Sequence, residues 1–284
     1  MNKQSLYAIL TISLIPIGLF LIGIKMTVET KTPQHTPVQI VTDNVAYQQL
    51  AQAIAGKSGH VSLLSGGLTY ANEKAIFKKA EVVITDSHQN QLLTQRRKMK
   101  LHSKILIASD VIKNQNYVNY WLSPDITVTT ITRLSDLLSD LDPSNRNEYI
   151  NNSQNLLAQT KSLSEGIGTL KAKKDVHYIA TNNAQQLFMS QLGYKSDISD
   201  VESASEIDFK TLEKRFQDKK ISFVLTASQD QSQKDQHVVA LARAAKIPII
   251  TFNQVLPSDQ KIWQWQLTFV NQLRYALEPV ESDK

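Results

Sequence analysis

Short β-rich runs alternate with helical stretches in two separate series along this chain, and a long helical stretch divides the series. Parallel strands cannot be joined by tight hairpins. They need crossover segments, so each series specifies one parallel α/β lobe. In the first series the strands are read at 39–42, 60–64, 81–85 and 104–108. Helices are read at 46–55 and 72–80, with Asn72 as the N-cap of the second. The second series reads strands at 176–180, 221–225 and 247–252, and helices at 183–192, 208–218, 234–246 and 263–277. Between them, Ser123-Pro124-Asp125 places a proline and an acid at a helix start. Leu134, Leu137, Leu138 and Leu141 share one face; the pattern pauses at Asp142-Pro143-Ser144 and resumes with Tyr149, Leu156, Leu157, Leu163 and Ile167. This reads as one long element, bent or broken near Pro143 and ended by Gly166 and Gly168. The predicted fold class is α/β: two Rossmann-like lobes, 38–123 and 171–284, joined by one long backbone helix, 124–170. Such a layout puts a ligand between the lobes, at the carboxyl ends of the strands.

Composition removes most chemistries. Of 284 residues, 42% are apolar and 20% charged, an ordinary globular balance rather than a disordered or fibrous one. There is no cysteine, which excludes disulfide scaffolds, thiolate zinc, cysteine nucleophiles, Cys-bound iron–sulfur clusters and lipidation of an N-terminal Cys. The net charge is +5 without a basic stripe. The densest run, Arg96-Arg97-Lys98-Met99-Lys100, lacks interleaved aromatics and reads as a solvated face, so no nucleic-acid partner is expected. Gly66-Gly67 and Gly166-x-Gly168 lack the pattern of a phosphate loop, and no Gly-x-Ser-x-Gly elbow is present. Asp86, Ser87 and His88 are adjacent and cannot form a catalytic triad. The chain is read as a non-enzymatic monomer.

Residues 6–24 form 19 uncharged positions between Lys3 and Lys25. As a helix they span close to the roughly 30 Å hydrocarbon core of a bilayer. The flank Gly23-Ile24-Lys25-Met26-Thr27 holds no good cleavage box, which favours an uncleaved anchor over a cleaved signal. Residues 1–26 are assigned to this anchor or signal and 27–37, near Pro33 and Pro37, to a linker. In either case the rest of the chain is exported.

Several local blocks carry a resemblance. They are Asn119-Tyr-Trp-Leu-Ser-Pro124, Leu141-Asp-Pro-Ser-Asn145 with Tyr149, Lys79-Ala80-Glu81-Val-Val, and Ala245-Lys-Ile-Pro248. In this order, over about 39–277, they resemble the metal-specific solute-binding proteins of bacterial ABC importers, which capture zinc or manganese outside the cell. The resemblance implies a permease partner in the membrane and a site of histidines and carboxylates. The matching positions here are different. Leu68 stands where the family has its first His, in Gly66-Gly67-Leu68-Thr69-Tyr70. Asn119 replaces the His of a His-x-Trp block, and Asn182 (or Asn183, if the register slips by one) replaces the next His. Thr226 stands for the Glu or His ending a strand, and Asn253 for the Asp after the last strand.

One leucine, three carboxamides and a threonine bring no charge and no imidazole, so a buried Zn²⁺ or Mn²⁺ would be uncompensated. No metal ligand or cofactor is therefore assigned with confidence, although the family implies zinc or manganese. Among the six histidines, His88 with Asp86 is the second choice for a polar ligand pair, because both follow a strand end. His60 begins a strand, His177 lies within one and His237 is read on an exposed helix turn. Two functions compete: a solute-binding protein with a diverged or degenerate metal site, and a cell-surface scaffold or interaction module on the same fold. The anchor is tested by intact-mass measurement of membrane and medium fractions. The full-length chain is expected in the membrane; a secreted form starting at about residues 23–32 would refute it.

Overall fold

The computed structural model describes residues 36–113, 117–203, 209–229 and 231–278. The chain divides into a unit of 1–37 and a unit of 38–284. Only Thr36 and Pro37 of the first are described, so the anchor read at 6–24 lies outside the described residues. Among the described residues, no helix is long and apolar enough to cross a membrane.

The second unit opens with β1 (Val38–Thr42), α1 (Val45–Ala55), β2 (Gly59–Leu63), α2 (Ala71–Lys79), β3 (Val82–Thr85), α3 (Gln91–Lys98) and β4 (Lys104–Ile107). Three helices follow: α4 (Pro124–Leu141), α5 (Arg146–Gln159) and α6 (Lys161–Ala172). The second series is β5 (His177–Ala180), α7 (Gln186–Leu192), β6 (Lys195–Ile198), α8 (Phe209–Gln217), β7 (Phe223–Ala227), α9 (Gln233–Ala244), β8 (Ile249–Phe252) and α10 (Ile262–Ala276). The two sheets have orders β2-β1-β3-β4 and β6-β5-β7-β8, and every pairing is parallel. The same topology thus occurs twice. In each sheet the strand order reverses beside the first strand, which opens a crevice at the carboxyl ends of β1 and β3 in one lobe and of β5 and β7 in the other.

Several expectations are corrected. The linking element breaks near Pro143 as read, and breaks once more, so it is three helices rather than one. The first break is the proline turn Pro143–Asn145, where Asp142 caps α4 with non-helical backbone. A second, at Thr160, separates α5 from α6; the Thr160 hydroxyl turns back to the carbonyl of Leu157. Gly166 and Gly168 do not end the helix, which continues to Ala172. At Gly166 the reason is close packing: a Cβ there would lie 2.6 Å from Val270 Cγ1 on α10. Tyr70, not Asn72, is the N-cap of α2, because Glu73 reaches back to the Tyr70 N–H. The sequence reading also passed over α3 and β6. The α3 segment is Gln-Leu-Leu-Thr-Gln-Arg-Arg-Lys, too polar to show a helical stripe, and only Leu92 and Leu93 are buried. The basic run lies in its last turn and beyond, where cations favour a helix C-terminus; Arg97, Lys98 and Lys100 are exposed, while Arg96 is half-buried and donates to the Ser103 carbonyl. β6 is an edge strand with exposed Lys195 and Ser196.

One apolar core runs through both lobes. Ile40, Leu50, Ile54 and Ile84 from the first lobe, Leu134, Leu138, Tyr149, Leu163 and Leu170 from the linking helices, and Tyr178, Phe188, Phe223 and Leu273 from the second belong to one buried cluster. Each lobe adds a separate cluster on its other sheet face, around Phe77 and Leu92 in the first and around Leu212, Phe216 and Val238 in the second. Helix α6 packs against both α4 and α10, and Lys171 reaches Asp125 at 2.7 Å.

Leu138 is fully buried, whereas Leu137 on the same helix is only half-buried. Leu138→Ala is expected to cost about 2–5 kcal/mol in chemical denaturation, and Leu137→Ala distinctly less. Gly166→Ala is expected to destabilise by about 1–3 kcal/mol despite alanine's better helix propensity, because the added methyl overlaps Val270. Combining it with Val270→Ala should cost less than the sum of the two single changes.

Candidate functional site

The crevice of the first lobe is closed by the chain itself. Asp86 follows β3 and is half-buried at the switch point. Its carboxylate accepts from the Tyr47 hydroxyl at 2.5 Å and from the backbone N–H groups of Tyr120 and Trp121, both at 2.9 Å. Burial raises its pKa, opposed by those three donors, and the nearby Asp43 charge adds to the rise. Asp43, after β1, is likewise raised by burial and takes both its contacts from the Asn90 amide, at 3.1 and 2.9 Å. Asn90 in turn caps α3 by accepting from the Leu92 N–H. Burial and the facing Asp86 charge push the Tyr47 hydroxyl well above its ordinary range. Both strand-end carboxylates therefore hold the protein's own donors.

His88 does not join Asp86. Its Nε2 lies 2.6 Å from Asp110, and Arg133 stands 3.8 Å from the other oxygen of Asp110. The bend that follows β3 carries the His88 side chain out to solvent, where it is half exposed. Three other histidines lie where they are read: His60 in β2, His177 in β5, where it contacts Asp197, and His237 exposed on α9 with its ring edge-on to Phe209.

Leu68 is 1% exposed and packs with Leu64, Phe77 and Leu92 in the first lobe's core. Its backbone is left-handed, and the loop around it is fastened by Glu73, which accepts from Ser65 N–H at 2.6 Å and Tyr70 N–H at 3.0 Å. Those backbone donors, Tyr70 first and then Ser65, hold the Glu73 carboxyl below its ordinary value. Asn119 is exposed, left-handed, and opens the turn Tyr120–Leu122 that docks on Asp86. Neither residue lines a cavity described below.

The second lobe keeps its crevice open. A cavity of about 810 Å³ lies at the carboxyl ends of β5, β7 and β8. Asn182, Ser228, Gln231, Asn253, Glu202 and Asp235 are among its lining residues, and none of the lining residues is cationic. Asn182 and Asn253 thus line the same cavity. Asn182 Oδ1 accepts from the Ala184 N–H, and Asn253 Oδ1 accepts from the Ser228 hydroxyl, so each amide keeps its N–H₂ for another partner. Thr226 is buried behind this cavity, where its hydroxyl accepts from Gln231 at 2.9 Å. Asp235 caps α9 from its third position by accepting from the Ser232 N–H, and its other oxygen has no partner. Glu202, Gln231 and Asp235 escaped the sequence reading, because their role follows from topology and none stands in a motif. Among the described residues, no three His, Asp or Glu side chains gather in a group that could hold a metal ion.

A smaller cavity of about 320 Å³ lies where Leu122 meets β8 and α10. There Trp121 stacks on Trp265, with ring centroids 5.8 Å apart and planes within 16°. Gln266 donates to the Trp121 carbonyl at 3.0 Å, and Gln49 on α1 ties to the chain entering α10 through Gln260 O and Ile262 N–H.

A family model described as zinc-uptake complex component A, periplasmic, matches residues 40–276. No curated protein gives a significant match. Among solved structures, a periplasmic metal-binding protein from Candidatus Liberibacter asiaticus is 16% identical with a TM-score of 0.65, covering 86% of this chain and all of that one. Its manganese-bound form gives the same score and identity. A mutant of the laminin-binding adhesin of Streptococcus agalactiae is 13% identical with a TM-score of 0.63, covering 85% of this chain and all of its own. At these identities the likeness is one of fold.

The Asp86 arrangement makes a pH prediction. A carboxyl whose folded pKa is raised binds its proton more tightly in the folded state, so its contribution is fully present below about pH 4 and is lost as pH rises through the folded pKa. Tyr47→Phe removes a donor to the ionised form, so the raised pKa should climb further and the loss on going to neutral pH should deepen. Urea midpoints measured from pH 4 to 7 check this. Asp86→Ala leaves a hydroxyl and two N–H groups without their acceptor and is expected to cost on the order of 3 kcal/mol at neutral pH.

Proposed function

Because this chain belongs to the zinc-uptake complex component A family, whose members are non-enzymatic extracytoplasmic binding proteins of metal-type ABC importers, we propose that it is an exported solute-binding component whose metal site is degenerate. Its partner is an ABC permease, and it works as a monomer at the outer face of a bacterial membrane, held by residues 6–24. The observation that carries the reading is the donor set at the five matching positions. Leu68 is turned into an apolar core, and Asn119, Asn182, Thr226 and Asn253 offer only neutral oxygens and amides. Zinc gains little over its water shell without imidazole or carboxylate ligands, and a dication there keeps its full charge uncancelled.

A second reading, a surface scaffold with a vestigial cleft, is favoured by one observation. The first lobe's crevice carboxylates are both saturated by internal donors, so that lobe offers little to any ligand.

Titration calorimetry with Zn²⁺ and Mn²⁺ at neutral pH separates these readings from ordinary metal capture. No saturable site tighter than about micromolar, or roughly 8 kcal/mol of binding, is expected. One equivalent of tightly held metal in protein purified without chelator would overturn the degenerate-site reading. The double variant Asn182→His, Asn253→Asp puts one imidazole and one carboxylate at the same cavity, and should raise zinc affinity measurably if that cavity retains the geometry of a metal site.

A further inference from the structure

Parallel strands joined by helical crossovers sort the first lobe into two ends. β2, β3 and β4 each start where a helix has just ended, so helix C-termini and strand starts share the end opposite the crevice. Backbone contacts fix that row: the Glu81 N–H donates to the Gln39 carbonyl at 2.8 Å and the Lys104 N–H to the Glu81 carbonyl at 2.7 Å. α2 and α3 cover the same sheet face, since Phe77 and Leu92 share one buried cluster. Their last turns and the chain just beyond bring Lys78, Lys79, Arg97, Lys98 and Lys100 to this end, beside Lys104 at the start of β4. All six are exposed, and among the described residues none of them forms an ion pair. Glu81 lies among them, with one oxygen engaged by the Gln39 N–H at 3.0 Å. A helix C-terminus favours cations, which accounts for lysines in the last turns of either lobe. It does not account for the missing counter-charge. The matching end of the second lobe is also basic, yet there Arg215 meets Asp197 at 2.6 Å, Lys195 meets Asp175 at 3.4 Å and Lys220 meets Asp218 at 3.9 Å. The first lobe's end is also where the preceding chain joins the fold, because Val38 opens β1. The linker 27–37 has 11 residues and reaches at most about 40 Å from the uncharged stretch 6–24 when fully extended.

We propose that this end of the first lobe is a docking face for an anionic bilayer surface, with lipid phosphates as the partners of Lys78, Lys79, Arg97, Lys98, Lys100 and Lys104. Attraction to such a surface reaches only about 8 Å at physiological salt, so a lasting contact needs a second hold, and the anchor supplies it. The inference rests on the anchored, exported reading above for that hold; the patch itself stands on the described fold. Docking here turns the opposite end of the lobe, where Asp86 meets the turn at Tyr120–Leu122, away from the lipid.

The test uses the full chain reconstituted in lipid nanodiscs, either of phosphatidylcholine alone or with phosphatidylglycerol added, and reads the acetylation rate of each lysine by mass spectrometry. Lys78, Lys79, Lys98, Lys100 and Lys104 are expected to react at least about three-fold more slowly in the anionic discs than in the neutral ones. Lys219 and Lys246, exposed at the matching end of the second lobe, should keep their rates. High salt should abolish the difference, because it screens the attraction. Replacing Lys79→Gln, Lys98→Gln and Lys104→Gln together should abolish it at Lys78 and Lys100, with unchanged second-lobe rates as the sign of an intact fold. Equal rates in the two discs, slowing spread over both lobes, or a difference that survives high salt would overturn the proposal. So would slowing retained at Lys78 and Lys100 in the folded triple variant; if that variant unfolds, the salt series decides. A chain that does not stay in neutral discs counts against the anchor instead. The patch is then tested by co-sedimentation of the same chain with vesicles of the two compositions: binding to the anionic vesicles alone supports it, and binding to neither or to both alike overturns it.

Discussion

The half-buried carboxylate of Asp86 organises the junction of the two lobes. It sits at the switch point of the first sheet and gathers a tyrosine hydroxyl from α1 and two consecutive backbone N–H groups from the turn at Tyr120–Leu122. A carboxylate in a dry site must be given donors, and a chain entering a helix has N–H groups to give; each meets the other's need. From that fixed turn the polypeptide enters α4, Trp121 is set against Trp265, and the Trp121 carbonyl is presented to Gln266. The register of the linking helices against α10 follows from this contact. Gly166 lets α6 and α10 approach as closely as the seam requires.

The two lobes share one topology but not one use of it. Both sheets reverse their strand order beside the first strand, and both therefore have a crevice where ligands are usually held. In the first lobe the crevice is occupied by the protein's own contacts, with Asp43 on Asn90 and Asp86 on Tyr47 and the 120–122 turn. In the second it remains an open, carboxamide-rich cavity with two carboxylates and no cation. A smaller cavity adjoins it and shares Ser228, Phe252 and Asn253 with it. The residues available for a ligand are thus mostly on one side, which differs from a cleft whose two halves each supply ligands to a metal ion.

How far the site could be read in the sequence depends on the residue. Asn182 and Asn253 follow strands β5 and β8, and the position of a residue just after a parallel strand is enough to put it at the crevice. Leu68 is placed at the site by the family resemblance alone. Its apolar side chain is better accommodated beneath the loop than at a wet rim, and Glu73 fastens the loop in the left-handed turn that aims it inward. Asp86 and His88 are two residues apart, yet one is drawn into the core by three donors and the other pairs outward with Asp110. Local sequence carries no information on that divergence, because the donors come from residues 47, 120 and 121. Likewise α3 and β6 have too little apolar content for periodicity to reveal them; they are held by the elements they pack against.

The sequence by itself determined the class of fold, because periodicity and crossover length are local and leave only parallel sheets as a way to bury the β-rich runs. It also bounded the chemistry available, since no folding can supply a thiolate to a chain without cysteine. Tertiary structure alone decided which polar groups are spent on holding the protein together and which remain for a ligand. That division is set by which donors, distant in sequence, reach an acceptor: Asp86 is met by three, while Asn182 and Asn253 still line an open crevice.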